Sequence, residues 1–145
     1  MEVASSDAGA MMLAVRWGFM TTDEVISYSD RLIEKTRNPS AEICELAVAS
    51  SRFQVEEILG QFDTKRDRLA NLKALIFRTV DLTKLDRSQR HRLFRKVSNQ
   101  LTYDDPKPWS DFKIADHELA DAIAGVYGCV KDIESEIVGL ICDMA

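Results

Sequence analysis

The stretch LADAIAGVYGCVKDIESEIVGLICDM, running from Leu119 to Met144, decides the fold. Its apolar residues Leu119, Ile123, Val126, Val130, Ile133, Ile137, Leu140 and Met144 recur in an unbroken 4-3-4-3-4-3-4 pattern. A mean spacing of about 3.5 residues places these side chains on one narrow stripe of a helix. Read as a single helix, the stretch would be roughly 39 Å long at about 1.5 Å per residue and would need packing along its whole length. In a two-stranded coiled coil the flanking positions would be Ala120, Ala122, Tyr127, Cys129, Glu134, Glu136, Ile141 and Asp143. Most of these are apolar and the charged ones are all acidic, so a homodimer would gain no ion pairs across the seam. The wide apolar face predicts the core helix of an intramolecular bundle, and a monomer or at most a weak homodimer.

Outward from this stretch, the rest of the chain also reads as helix. Thr21-Thr22-Asp23-Glu24 has the form of a capping box and opens a helix with Val25, Ile26, Ser29, Leu32 and Ile33 on one face. Pro39 suits the first turn of a third helix carrying Ile43, Leu46 and Ala47. A short helix over about 51–60 is expected to carry Phe53, Val55, Ile58 and Leu59 and to end near Gly60, and one over about 64–80 to align Leu69, Leu72, Ile76 and Val80. Asp86 with Gln89 forms a second capping box, opening a helix that buries Leu93, Phe94, Val97 and Leu101. Residues 1–6 read as frayed, and 102–115 as one long loop. The expectation is an all-α, single-domain helical bundle over 1–145, with about six to seven helices and a long C-terminal core helix.

Charge is segregated along the chain. Residues 1–63 hold 5 Lys+Arg against 11 Asp+Glu, residues 64–107 hold 12 against 5, and residues 108–145 hold 2 against 8; the nets of −6, +7 and −6 give the overall −5. The basic middle either faces an external anion or neutralises the acidic ends from within, and the second reading is favoured. Arg87, His91, Arg92, Arg95 and Lys96 are the candidates for an anionic partner, but an acidic protein of pI near 5.1 argues against a dedicated nucleic-acid binder.

Chemistry is harder to find. The three cysteines, Cys44, Cys129 and Cys142, lie in helical patterns beside apolar neighbours and read as buried, reduced thiols of a cytoplasmic protein. His91 and His117 form no metal-ligand spacing with each other or with cysteine, and His117 with Asp121 at a helix start reads as structural. No phosphate-binding, dinucleotide-binding or nucleophile-elbow motif is present. No enzyme, cofactor or metal is therefore expected. No run of about 18 uncharged apolar residues suggests a membrane span, and the acidic start does not read as a signal peptide. The remaining candidates for recognition are Tyr103, Asp104, Asp105, Trp109 and Phe112 in the acidic, Pro-rich loop. There Trp109 is either an exposed hot spot or an anchor.

The segment Trp17-Gly18-Phe19-Met20-Thr21-Thr22-Asp23-Glu24-Val25-Ile26-Ser27-Tyr28-Ser29-Asp30-Arg31-Leu32-Ile33, followed by Asn38-Pro39, resembles the opening of small, mostly helical and largely uncharacterised bacterial proteins. Some of these are thought to act as immunity proteins of toxin systems. The resemblance covers about a quarter of the chain and transfers no site residues. It implies a bacterial helical domain that binds another protein, a toxin being the most concrete partner. Acidic surfaces suit that role because they mask basic clefts. The alternative is a nucleic-acid-associated regulator using the 87–96 face.

Overall fold

Capping side chains at Thr21, Ser40 and Asp86 set three of the helix starts in this computed structural model, which describes residues 5–62, 68–126 and 128–144. Helix α1 spans Ser5–Arg16 and α2 spans Thr22–Lys35. The expected capping box opens α2: the Glu24 N–H donates to Thr21 Oγ1 at 3.2 Å, and the Thr21 N–H donates to the Glu24 carboxylate at 3.3 Å. The inward face of α2 is Val25, Ser29 and Leu32. Ser29 is tolerated there because its hydroxyl donates to the Ile26 carbonyl at 2.8 Å. Helix α3 spans Ala41–Ala47, with Ser40 as its cap, so Pro39 lies just outside the first turn. Helix α4 spans Arg52–Phe62, and α5, Arg68–Ala74, runs directly into a π-helix, Leu75–Thr79.

The described residues form no strand, and the helices group into two compact units, residues 1–82 and 83–145. In the first unit α1 is central, packing on α4, α5 and the π-helix. The core there includes Met11, Val15, Val25, Leu32, Ile43, Leu46, Val55 and Leu59. Residues 1–4, most of the expected frayed end, and residues 64–67, the expected start of the fifth helix, lie outside the described residues.

The second unit contains α6, Arg87–Asn99, α7, Trp109–Ile123, and α8, Val130–Met144. The Asp86–Gln89 capping box opens α6, with the Gln89 N–H on Asp86 at 2.8 Å. Helix α7 packs on both α6 and α8, and Phe94 meets Phe112 edge-on with ring centroids 5.9 Å apart. The loop expected over 102–115 is shorter. Asp105 folds it back by accepting the Thr102 N–H at 2.7 Å, and α7 starts at Trp109, just after the two prolines that an interior turn of helix could not hold.

The C-terminal stretch departs most from expectation. It is not one helix: α7 ends at Ile123 and α8 starts at Val130. Gly125 takes φ +76°, the Val126 N–H reaches back to the Asp121 carbonyl at 2.9 Å, and the Gly125 N–H reaches Ala122 at 3.1 Å. This is a Schellman cap, which glycine favours because it has no Cβ to strain the left-handed conformation. Gly128, at φ +91°, completes the turn. Ile123 and Val126 are consequently 55% and 71% exposed, whereas Ile133 and Ile137 stay buried. Tyr127 lies outside the described residues. The inward face of α8 is Ile133, Ile137, Ile141 and Met144, an ordinary helical stripe that draws in Ile141. The packing partner demanded by the apolar repeat is the other half of the same stretch, folded back as a helical hairpin.

Candidate functional site

The aromatic loop candidates separate once built. Tyr103 is 59% exposed and Asp104 is exposed, while Asp105 is half-buried. Trp109 is only 8% exposed and Phe112 not at all, so both serve the core and neither is available to a partner in this state. Of the two roles open to Trp109, the structure takes the anchor. Tyr103 is itself held on α7: its ring lies 5.9 Å from that of His117, and the Lys113 ammonium stands 5.4 Å from its centroid.

The basic face of α6 is largely committed inside its own unit. Arg87 Nε pairs with Glu134 at 2.9 Å, and His91 Nε2 bonds the same carboxylate oxygen. Burial would raise the Glu134 carboxyl, but the hydrogen bonds and charges of Arg87 and His91 hold it below the usual range. Arg95 Nε stands 3.4 Å from Asp116 Oδ2. Asp116 is 2% exposed and that oxygen has no hydrogen-bond partner, so burial drives its carboxyl upward against the opposing pull of Arg95. Arg92 is engaged as well, and Lys96 is exposed. Arg78 of the first unit makes the same kind of pair, with its guanidinium 2.7 Å from Asp7. Cations from the basic middle thus meet acids from both ends of the sequence. Among the described residues no three His, Cys, Asp or Glu side chains converge to hold a metal. The three cysteines are exposed and not buried as expected. Cys44 and Cys142 each follow a buried isoleucine, Ile43 and Ile141, and the 100° helical step carries them off the packed face.

A surface that the sequence reading missed lies at the α3–α4 corner. Val48 is 80% and Phe53 74% exposed. The corner is rigid: Gln54 accepts the Ser50 N–H at 2.8 Å and the Ser50 hydroxyl at 3.0 Å, and its own N–H donates to Ser51 Oγ at 3.2 Å. A groove of about 330 Å³ runs beside it, lined by Glu45, Val48, Ala49, Gln54, Glu57, Ile58 and Gln61. Glu45 and Glu57 make no ion pair among the described residues. A helical wheel carries the signal for Phe53. With Val55, Ile58 and Leu59 facing inward, a step of about 100° per residue puts Phe53 on the opposite side of α4. The sequence matches no protein family, no curated protein and no solved structure.

Proposed function

We propose that this chain is a protein-binding helical module that presents the α3–α4 corner to a cationic partner. One observation carries the reading: Val48 and Phe53 stand mostly in water at a hydrogen-bonded corner, beside two carboxylates, Glu45 and Glu57, that make no ion pair among the described residues. Large apolar side chains held rigidly at a surface lose little entropy on binding and act as hot spots. The flanking acids select an apolar surface bearing lysine or arginine and speed its approach. Neutralisation of a basic toxin in the bacterial cytoplasm is the most concrete version, supported by the resemblance of residues 17–39 and by the acidic surface. A nucleic-acid role is not preferred, because Arg87, His91 and Arg95 already face Glu134 and Asp116.

The test is an amide NMR titration with a lysine- and leucine-rich amphipathic helical peptide. Shifts are expected at Val48, Ala49, Phe53, Ile58 and Gln61, and are expected to vanish in Phe53→Asp while its melting temperature stays that of wild type. Shifts confined to the 87–96 face, or none at millimolar peptide, would contradict the proposal.

A further inference from the structure

The first unit contains a second concavity, remote in sequence from the α3–α4 corner and of a different character. It is a cleft of about 640 Å³ between α1, α2 and the π-helix, a size that suits a small ligand. One wall is a single face of α2. Asp23, Glu24, Ser27, Tyr28 and Arg31 all line it, and at about 100° per residue they span an arc of roughly 140°. Met11 of α1 and Met20 of the α1–α2 turn give the lining its apolar side chains. Asp7 and Arg78 also line it, locked together by Arg78 Nε and Nη2, each 2.7 Å from the same Asp7 oxygen. Arg78 belongs to a π-helix closed by the Val80 N–H on the Leu75 carbonyl at 2.9 Å. Such insertions recur at functional sites because they redirect a side chain that a regular helix would aim elsewhere.

The charges in this cleft are polarised along α2. At its N-terminal end stand Asp23 and Glu24. Two turns on stands Arg31, which makes no ion pair or hydrogen bond among the described residues. Between them stands Tyr28, whose hydroxyl is held in its neutral, hydrogen-donating form to higher pH than usual by burial and by the Asp7 charge, against the opposing pull of Arg31. Asp7 and Arg78 offset each other, and the lining charges with no ion pair among the described residues are Asp23, Glu24 and Arg31. Glu24 and Arg31 are separated by about 10.5 Å along the helix axis and Asp23 and Arg31 by about 12 Å.

We infer that this cleft binds an extended zwitterion of tripeptide size, with its ammonium at Asp23 and Glu24, its carboxylate at Arg31, and an apolar middle side chain on Met11 and Met20. An extended tripeptide spans about 10 Å, which matches the axial rise from the acidic pair to Arg31. The carboxylate receives the Arg31 guanidinium and the Tyr28 hydroxyl, and the thioethers of Met11 and Met20 adapt to varied side chains. Nothing in this reading depends on the α3–α4 corner.

The experiment is calorimetric titration of the full chain with Ala-Leu-Ala, with its N-acetylated form, and with its C-terminal amide. The free peptide binds, and blocking either end weakens binding by about tenfold or more, the usual loss for a charge-assisted hydrogen bond. In Arg31→Ala, amidation makes no further difference, because the group that reads the carboxylate is gone, while acetylation still does. Arg31 is exposed and makes no ion pair among the described residues, so this variant keeps the wild-type melting temperature. No heat with the free peptide at 10 mM, or blocked peptides binding as well as the free one, overturns the inference. So does an Arg31→Ala protein that still distinguishes the acid from the amide.

Discussion

The turn between α7 and α8 gives a prediction whose sign separates the observed hairpin from the continuous helix suggested by the apolar repeat. The perturbation is Gly125→Ala. A Cβ at this position would meet nothing within 4 Å, so packing contributes neither gain nor loss. The φ of +76° does matter. An L-residue in the left-handed region costs about 1–2 kcal/mol. Alanine recovers about 0.4–1 kcal/mol by restricting the unfolded chain. The net expectation is destabilisation by roughly 0.5–1 kcal/mol. In a continuous helix the same change would stabilise by about 0.8–1 kcal/mol, since alanine replaces glycine in a helix interior. Urea unfolding should be followed by the fluorescence of Trp109 in a Trp17→Phe background, so that the second unit reports alone. Gly128→Ala should cost more, because its φ is +91° and its Cβ would lie 3.2 Å from Ile133 Cδ1. A rise in the urea midpoint for either variant would refute the hairpin.

Three further outcomes follow from burial and charge. Trp109→Ala should lower stability by about 3 kcal/mol or more, read as a large fall in melting temperature, because the side chain is 8% exposed in the observed fold. Gly9→Ala should destabilise by about 1–3 kcal/mol in spite of alanine's helix propensity, since its Cβ would lie 2.5 Å from the Asn71 side chain; denaturant titration of the pair with Asn71→Ala should show recovery. Asp116 has a folded-state carboxyl raised above its ordinary 3.8, so its favourable contribution is present below that value and is lost as pH rises through the raised one. Asp116→Asn should therefore be at least as stable as wild type at pH 7, with a flatter stability profile between pH 4 and 7; a protein weakened at pH 7 and unchanged at pH 4 would show that the Arg95 pair dominates instead.

Much of the fold was legible because its signals are local. The boxes at Thr21–Glu24 and Asp86–Gln89 each need only four consecutive residues, and both helices start where those residues say. The inward faces of α2 and α6 follow from periodicity alone. The C-terminal stripe misled because a regular repeat can continue by chance across a turn. Gly125 and Gly128 stood in it as visible breakers, yet their cost of up to about 1 kcal/mol each can equally signal close packing in a helix interior. Trp109 was ambiguous for a related reason: composition marks an aromatic beside prolines as noteworthy, but only the position of the α7 start shows that it turns inward. The basic α6 face looked like a surface for an external anion until the tertiary fold brought Glu134 and Asp116 to it. Pairs separated by 21 to 47 residues in sequence leave no local trace. The α2 cleft was hidden likewise, because Asp7 and Arg78 meet across 71 residues.

The α3–α4 corner as a docking surface is tested most directly by photo-crosslinking in living cells from a benzoylphenylalanine at position 53, with position 138, another exposed apolar site, as the control. The account predicts one discrete adduct from position 53 to a basic protein, absent at position 138 and lost when Glu45 and Glu57 are both changed to lysine. Equal capture at both positions, or capture at 53 that survives the charge reversal, would contradict it.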